Sequence, residues 1–183
     1  MPSIRSTHGG WALAWEEHVT IPSGLGGSNR HVDTLFSRRD AAGWARTTRV
    51  NDQRIVVTGT VSVLGAVGKS GMRALEELHR KGRGTELRYP HLVAAPTGRL
   101  AVLWTELRGR NIAPVASISD DGGRTWSAAI ALDPSHRGDA DRVRGSFRAD
   151  GKALQAIYLT WPGESSLRAD DGLGLKVAEV LLP

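Results

Sequence analysis

The stretch Ser119 to Trp126, SDDGGRTW, decides the fold, because its residue types together favour one kind of tight β-hairpin. Asp and Ser side chains accept hydrogen bonds from backbone N–H groups in a turn, and glycine adopts the positive φ that such a turn needs. A tryptophan then places a large apolar side chain at the start of the returning strand. We therefore interpret five residues as structural rather than catalytic: Ser119, Asp121, Gly123, Thr125 and Trp126.

The same stretch permits a second interpretation, a calcium site on Asp120 and Asp121. Calcium takes six to eight oxygen ligands, and the surrounding sequence does not supply the rest of a recognisable calcium loop. The sequence contains no cysteine, and its histidines show no metal-ligand spacing. We therefore predict no metal site and no cofactor.

Three apolar runs that lead to a tryptophan predict buried strands. They are Gly10 to Glu17, Gly98 to Glu106 and Ala153 to Glu164, with Trp15, Trp104 and Trp161 as the predicted equivalent positions. A strand that is buried on both faces has such a nearly continuous apolar run. Three copies of one feature indicate a repeat.

A second hairpin follows the first of these strands. The span from Ser37 to Trp44 has the same length as Ser119 to Trp126, but Arg39, Ala41 and Gly43 occupy the three positions between that define the motif. We interpret it as a degenerate copy of the strict hairpin.

The pattern S-x-D-x-G-x-T-W is the Asp-box, and the chain resembles the sialidase-type (BNR-repeat) β-propeller family. A propeller blade has four antiparallel strands and takes about 40–50 residues. The resemblance implies an all-β single domain of about three to four blades in an incomplete ring. Blade-like units are expected at about 9–50, 87–133 and 142–183, with an irregular insert at 51–86. Because three blades cannot close a ring, we expect a homo-oligomer or a fragment of a larger propeller. A third option is that a short helix at Met72 to Lys81 caps the open side.

The insert has its own pattern. Arg54 to Leu64 is β-branched and predicts one or two strands, and Met72 to Lys81 (MRALEELHRK) has the spacing of a short helix. A phosphate-binding loop is one interpretation of the intervening Gly65 to Gly71. The motif requires a glycine where Val63 stands, so a simple turn into the helix is favoured.

The segment Leu87 to Leu92, LRYPHL, resembles the sialidase motif whose arginine binds the substrate carboxylate. The resemblance makes Arg88, Glu106 and Arg108 candidate ligand-binding residues, since a guanidinium pairs well with a carboxylate. The family's catalytic aspartate has no counterpart in Leu107 to Asn111, and neither Tyr89 nor Tyr158 has an evident Glu partner in the sequence. We therefore favour a non-catalytic module that binds glycan or protein at its central face. The alternative is a sialidase-type glycoside hydrolase with a site completed by oligomerisation or by missing blades.

Composition limits the other classes of function. The net charge is +5, but acidic residues stand among the arginines, which argues against nucleic-acid binding. No apolar run approaches the roughly 20 residues that cross a bilayer, so no membrane association is predicted. Met1 to Gly10 lacks the apolar core of a signal peptide, which makes the cytoplasm the default expectation.

Overall fold

The structure, a computed structural model, describes residues 2–7, 9–22, 28–51, 55–58, 89–108, 111–136, 138–161 and 174–182. These residues form antiparallel β-sheets, none of which closes on itself, and no helix occurs among them. The predicted all-β class is therefore confirmed for the described part of the chain. The helix predicted at Met72 to Lys81 and the Gly65 to Gly71 loop lie outside the described residues, as does Arg88.

The first sheet is built on one long hairpin. Strands β1 (Ser3–Thr7), β2 (Gly10–Pro22) and β3 (Ser28–Asp40) lie side by side. Three short strands pair with the far edge of β3: β4 (Gly43–Trp44), β5 (Thr48–Arg49) and β6 (Ile55–Thr58). Strand β1 was not predicted, because one apolar residue among polar ones in SIRST gives little periodic signal.

The middle and last sheets are simple meanders. The middle sheet contains β7 (His91–Ala94), β8 (Leu100–Arg108), β9 (Asn111–Ser119) and β10 (Ile130–Ala131). The last sheet contains β11 (Asp139–Phe147), β12 (Ala153–Trp161) and β13 (Gly174–Leu181), with a register shift between Asp141 and Arg144. Consecutive strands are neighbours in both sheets, as in the blade order that the sequence predicts.

Two apolar cores hold the three sheets in a stack. The core between the first and middle sheets includes Ala12, Ala14, Val32, Phe36, Val102 and Trp104. The core between the middle and last sheets includes Ala101, Leu103, Val143, Leu154, Ala156 and Tyr158. Because alternate residues of a strand face opposite sides, β8 contributes Val102 and Trp104 to one core and Ala101 and Leu103 to the other. This explains its continuous apolar run.

Strand register shows which residues of the first and middle sheets are equivalent. The Ser37 hydroxyl donates to the carbonyl of Ala45 at 2.8 Å, and the Ser117 hydroxyl donates to the carbonyl of Ser127 at 2.7 Å. Ser37 therefore corresponds to Ser117 and not to Ser119. The expectation that Ser37 to Trp44 is a degenerate Asp-box is wrong, because residues Asp40 to Gly43 instead close a shorter turn in which Asp40 pairs with Gly43.

The same register supports the predicted equivalence of Trp15 and Trp104. Trp15 pairs with Leu35, which lies two residues before Ser37. Trp104 pairs with Val115, which lies two residues before the equivalent Ser117. The side chain of Trp161 lies outside the described part. In β12, Tyr158 is the large aromatic residue that packs against the middle sheet.

Candidate ligand-binding site

The Asp-box hairpin is held by its own side chains. The Asp121 carboxylate accepts hydrogen bonds from the backbone N–H groups of Arg124 and Thr125, both at 2.9 Å, and from the hydroxyl of Thr125 at 2.6 Å. The Ser119 hydroxyl donates to the same carboxylate at 2.8 Å and accepts the N–H of Gly123 at 2.8 Å. These hydrogen bonds, those of Thr125 first, hold the pKa of Asp121 well below its usual range. The carboxylate is therefore fully occupied in the turn.

The hairpin also connects the middle sheet to the first sheet. The rings of Phe36 and Trp126 meet edge to face with centroids 5.1 Å apart. Gly123 lies so close to Phe36 that a Cβ there would come within 2.1 Å of the ring. The Thr48 hydroxyl donates to the carbonyl of Gly123 at 3.1 Å. The predicted structural residues thus fasten one sheet to the sheet that precedes it.

Two of the three predicted ligand-binding residues contact each other at the opposite end of the sheets, which we call the open end. The open end comprises the end of β2, the end of β8 with the start of β9, and the end of β12 with the start of β11. There the Arg108 Nε donates to Glu106 at 2.7 Å, and an Arg108 terminal nitrogen donates to the carbonyl of Ala129 at 2.9 Å. The other Glu106 oxygen accepts the indole N–H of Trp104 at 3.1 Å. The Arg108 side chain is 40% exposed and that of Glu106 is 15% exposed, so the arginine faces solvent from a fixed position.

A second polar cluster at the open end was not predicted from the sequence. The Tyr158 hydroxyl donates to Asp133 at 2.6 Å, and the ring of His136 stands perpendicular to the Tyr158 ring at 5.4 Å. Burial raises the pKa of Tyr158, and the bond to Asp133 adds to this effect. Burial, together with the charge of Lys176, lowers the pKa of His136. The partners are 25 residues apart in the sequence, so no local spacing links them.

The Tyr158 pair has the chemistry of a phenol beside a carboxylate, but its surroundings make it structural. Tyr158 is 1% exposed and belongs to the core between the middle and last sheets. Nearby, Asp139 accepts the backbone N–H of Ile112 at 2.9 Å, which ties β11 to β9. These contacts join the last sheet to the middle sheet at the open end.

A shallow cleft of about 540 Å³ opens on the uncovered face of the first sheet. Its lining residues are Trp15, Glu17, Asp33, Leu35, Thr47 and Arg49. Glu17 follows Trp15 by two residues, as Glu106 follows Trp104, so the two glutamates occupy equivalent positions in neighbouring sheets. The cleft therefore presents acidic and aromatic side chains on the face of the first sheet that no other described sheet covers.

The described residues contain no cluster of His, Asp or Glu side chains that is suited to hold a metal ion. Within the same residues, no helix is long and apolar enough to span a membrane. No protein-family model matches the chain, and no curated protein is similar to it at a significant level.

Proposed function

We propose that this protein is a non-catalytic, sialidase-like Asp-box module of three blade-like sheets, and that it binds a glycan with a carboxylate group at the open end. The strict Asp-box, the meander order of the middle and last sheets and their face-to-face stacking support the blade interpretation. No metal or cofactor is needed for such binding.

The observation that carries the proposal is the Arg108 side chain, which is held in place and is 40% exposed. Glu106 and the carbonyl of Ala129 hold two of its nitrogens, at 2.7 and 2.9 Å. The remaining N–H groups of an arginine in this position are suited to a planar carboxylate. Because the side chain is already ordered, less conformational entropy is lost when a ligand binds.

Hydrolysis has less support among the described residues. A glycosidase needs two carboxyl groups, or a substitute for one, that face the same sugar. Both oxygens of Glu106 accept hydrogen bonds from Trp104 and Arg108. In the pair of Tyr158 and Asp133, the phenol is 1% exposed and belongs to the core between the middle and last sheets. These contacts favour binding over catalysis.

The test is a titration with the α-methyl glycoside of sialic acid, followed by saturation-transfer NMR, with lactose as the neutral sugar. We expect a signal from the acidic glycoside, a loss of at least tenfold in affinity in Arg108→Ala, and a smaller loss in Arg108→Lys. Arg124→Ala, an exposed arginine on the distant hairpin, is the control and should bind normally.

Two results would contradict the proposal. Equal signals from both sugars would show that the site does not select the carboxylate. An affinity in Arg108→Ala equal to that of the wild type would remove Arg108 from the site. The appearance of free sialic acid during the titration with a hydrolysable aryl glycoside would favour the hydrolase alternative.

A further inference from the structure

Each end of the sheet stack presents a face that no other described sheet covers and that carries exposed apolar side chains among polar ones. On the last sheet, four side chains point away from the middle sheet, with exposed fractions of 39, 65, 75 and 74% for Ile157, Leu175, Val177 and Leu181. Register places them on one face, since Ile157 pairs with Val177 and Ala153 pairs with Leu181. The same face also carries Arg144, Gln155 and Glu179, of which Gln155 donates a hydrogen bond to Glu179 at 2.9 Å. Exposed apolar faces of this kind mark interaction surfaces.

The uncovered face of the first sheet is the counterpart of a face that is covered in the middle sheet. Trp104 is fully buried because the first sheet lies over it. Its equivalent, Trp15, lies on the side of β2 opposite Ala12 and Ala14, and Trp11 on that same side is 51% exposed. The first sheet therefore presents the surface that, in the middle sheet, receives another sheet.

The tryptophans of the two hairpins also differ in whether a neighbouring sheet covers them. Trp126 packs on Phe36 of the preceding sheet, whereas Trp44 is 52% exposed. Trp44 pairs with Arg39, which pairs with Trp11, so all three side chains share the uncovered face.

We propose that a second copy of this chain covers both faces, with the last sheet of each copy packed on the first sheet of the other. The stacking has a direction, because each sheet turns one face to the sheet before it and the other to the sheet after it. Two copies joined head to tail at both ends form a closed, twofold-symmetric ring of six sheets. Propellers typically have four to eight blades, so six sheets fall within the range that closes.

The available area fits a stable dimer. Strand spacing and rise give a three-stranded face with strands of eight residues dimensions of about 14 by 26 Å. A ring contains two such joints, so each copy contributes two faces, or roughly 700 Å² of flat area before the side-chain relief is counted. Specific dimers bury about 800 Å² per partner.

The experiment is size-exclusion chromatography with light scattering on the chain and three variants. The chain should have twice its mass of 19.7 kDa. Val177→Glu alters only the face of the last sheet and Trp11→Glu only that of the first sheet, and each should weaken dimerisation at least tenfold by burying a charge. Ala149→Glu, in the exposed turn between β11 and β12, is the matched control and should remain dimeric. Far-UV circular dichroism checks that each variant is folded, and Leu175→Lys replaces Val177→Glu if that variant is not.

Each other outcome overturns the proposal in a specific way. A monomeric chain would mean that a different polypeptide covers these faces or that they remain exposed. Dissociation by only one of the two face variants would indicate a dimer of like faces, and a series of larger species would indicate a joint that does not close.

Discussion

The hairpin after β9 and the turn after β3 occupy equivalent positions in the middle and first sheets, yet they are built differently. In the middle sheet, Asp121 accepts four hydrogen bonds and Trp126 packs on the preceding sheet. In the first sheet, Asp40 accepts the N–H of Ala42 at 2.8 Å, and Trp44 lies on the uncovered face. The elaborate hairpin thus occurs where a neighbouring sheet is present to receive it.

The largest expected difference between the two sheets concerns their equivalent tryptophans. Trp104→Ala should lower the free energy of unfolding by about 3–5 kcal/mol, because it empties a fully buried site. Trp15→Ala should cost less than half as much, since Trp15 lies on the uncovered face. Urea unfolding in the Val177→Glu background, which keeps that face uncovered, measures both. Equal losses would show that the two faces are covered alike.

Substitution of glycines in the two turns distinguishes the stability lost through contact between the sheets from the stability lost through backbone strain. Gly123 and Gly43 both have positive φ, at +91° and +116°, but only a Cβ at Gly123 would collide with Phe36. Gly43→Ala should therefore cost about 1 kcal/mol of strain, and Gly123→Ala about 2–4 kcal/mol of strain and overpacking together. Thermal unfolding of the two variants makes the comparison. A Gly123→Ala variant as stable as Gly43→Ala would mean that the hairpin does not rest on Phe36.

Substitution of the aspartates in the two turns should give a smaller difference in the free energy of unfolding. Asp121→Asn weakens a set of four hydrogen bonds and should cost about 1–3 kcal/mol, whereas Asp40→Asn should cost under about 1 kcal/mol. Because the folded pKa of Asp121 is depressed, its contribution is complete above the ordinary aspartate range and is lost as the pH falls below about 4. Asp121→Asn should therefore flatten the acid side of the stability curve. An unchanged curve would assign the acid sensitivity to other carboxylates.

The smallest expected effect is a mild sensitivity to pH at the point where the three sheets meet. His91 has its Nε2 3.3 Å from the carbonyl of Gly145 on the last sheet, and burial, then Arg144 and Arg5, lower its pKa to about 4. The unfolded chain takes up the proton near pH 6.5, so the stability should fall as the pH decreases from about 6.5 to about 4.

His91→Gln should reduce this dependence, and His18→Gln on the exposed part of β2 provides the control. Urea midpoints at pH 7.5 and pH 5 measure the slope for the wild type and both variants. An equal slope in His91→Gln would place the sensitivity elsewhere in the molecule.

Local patterns predicted the strands that have continuous apolar runs and failed where the determinant is tertiary. The run Gly98 to Glu106 predicts a strand, and the structure has β8 (Leu100–Arg108) there. Trp126 is predicted at the start of the returning strand, but the returning strand β10 is only Ile130–Ala131, and Ser127 and Leu132 on either side of it make single backbone hydrogen bonds to Ile118 and Pro114. The predicted match between Ser37 to Trp44 and Ser119 to Trp126 is also wrong. The two spans have equal length in the sequence, but the first contains a shorter turn, in which Asp40 pairs with Gly43.

In the candidate site, too, some residues are predictable from the sequence and others depend on tertiary packing. The resemblance to the sialidase family makes Glu106 and Arg108 candidates, and two residues of separation on one strand place them on the same face. The contact of Tyr158 with Asp133 depends on the packing of the last sheet against the middle sheet, for which the sequence contains no local signal. Arg88 lies outside the described residues, so its role remains a prediction.

The most direct test of the stacked arrangement is a double-mutant cycle between Phe36 of the first sheet and Trp126 of the middle sheet. Phe36→Ala, Trp126→Ala and the double variant would be compared by urea unfolding with the wild type. Contact between the two rings predicts a coupling free energy of about 1 kcal/mol, because the second truncation removes an interaction already lost in the first. Changes that add within about 0.3 kcal/mol would contradict the account, since the hairpin would then not rest on the preceding sheet.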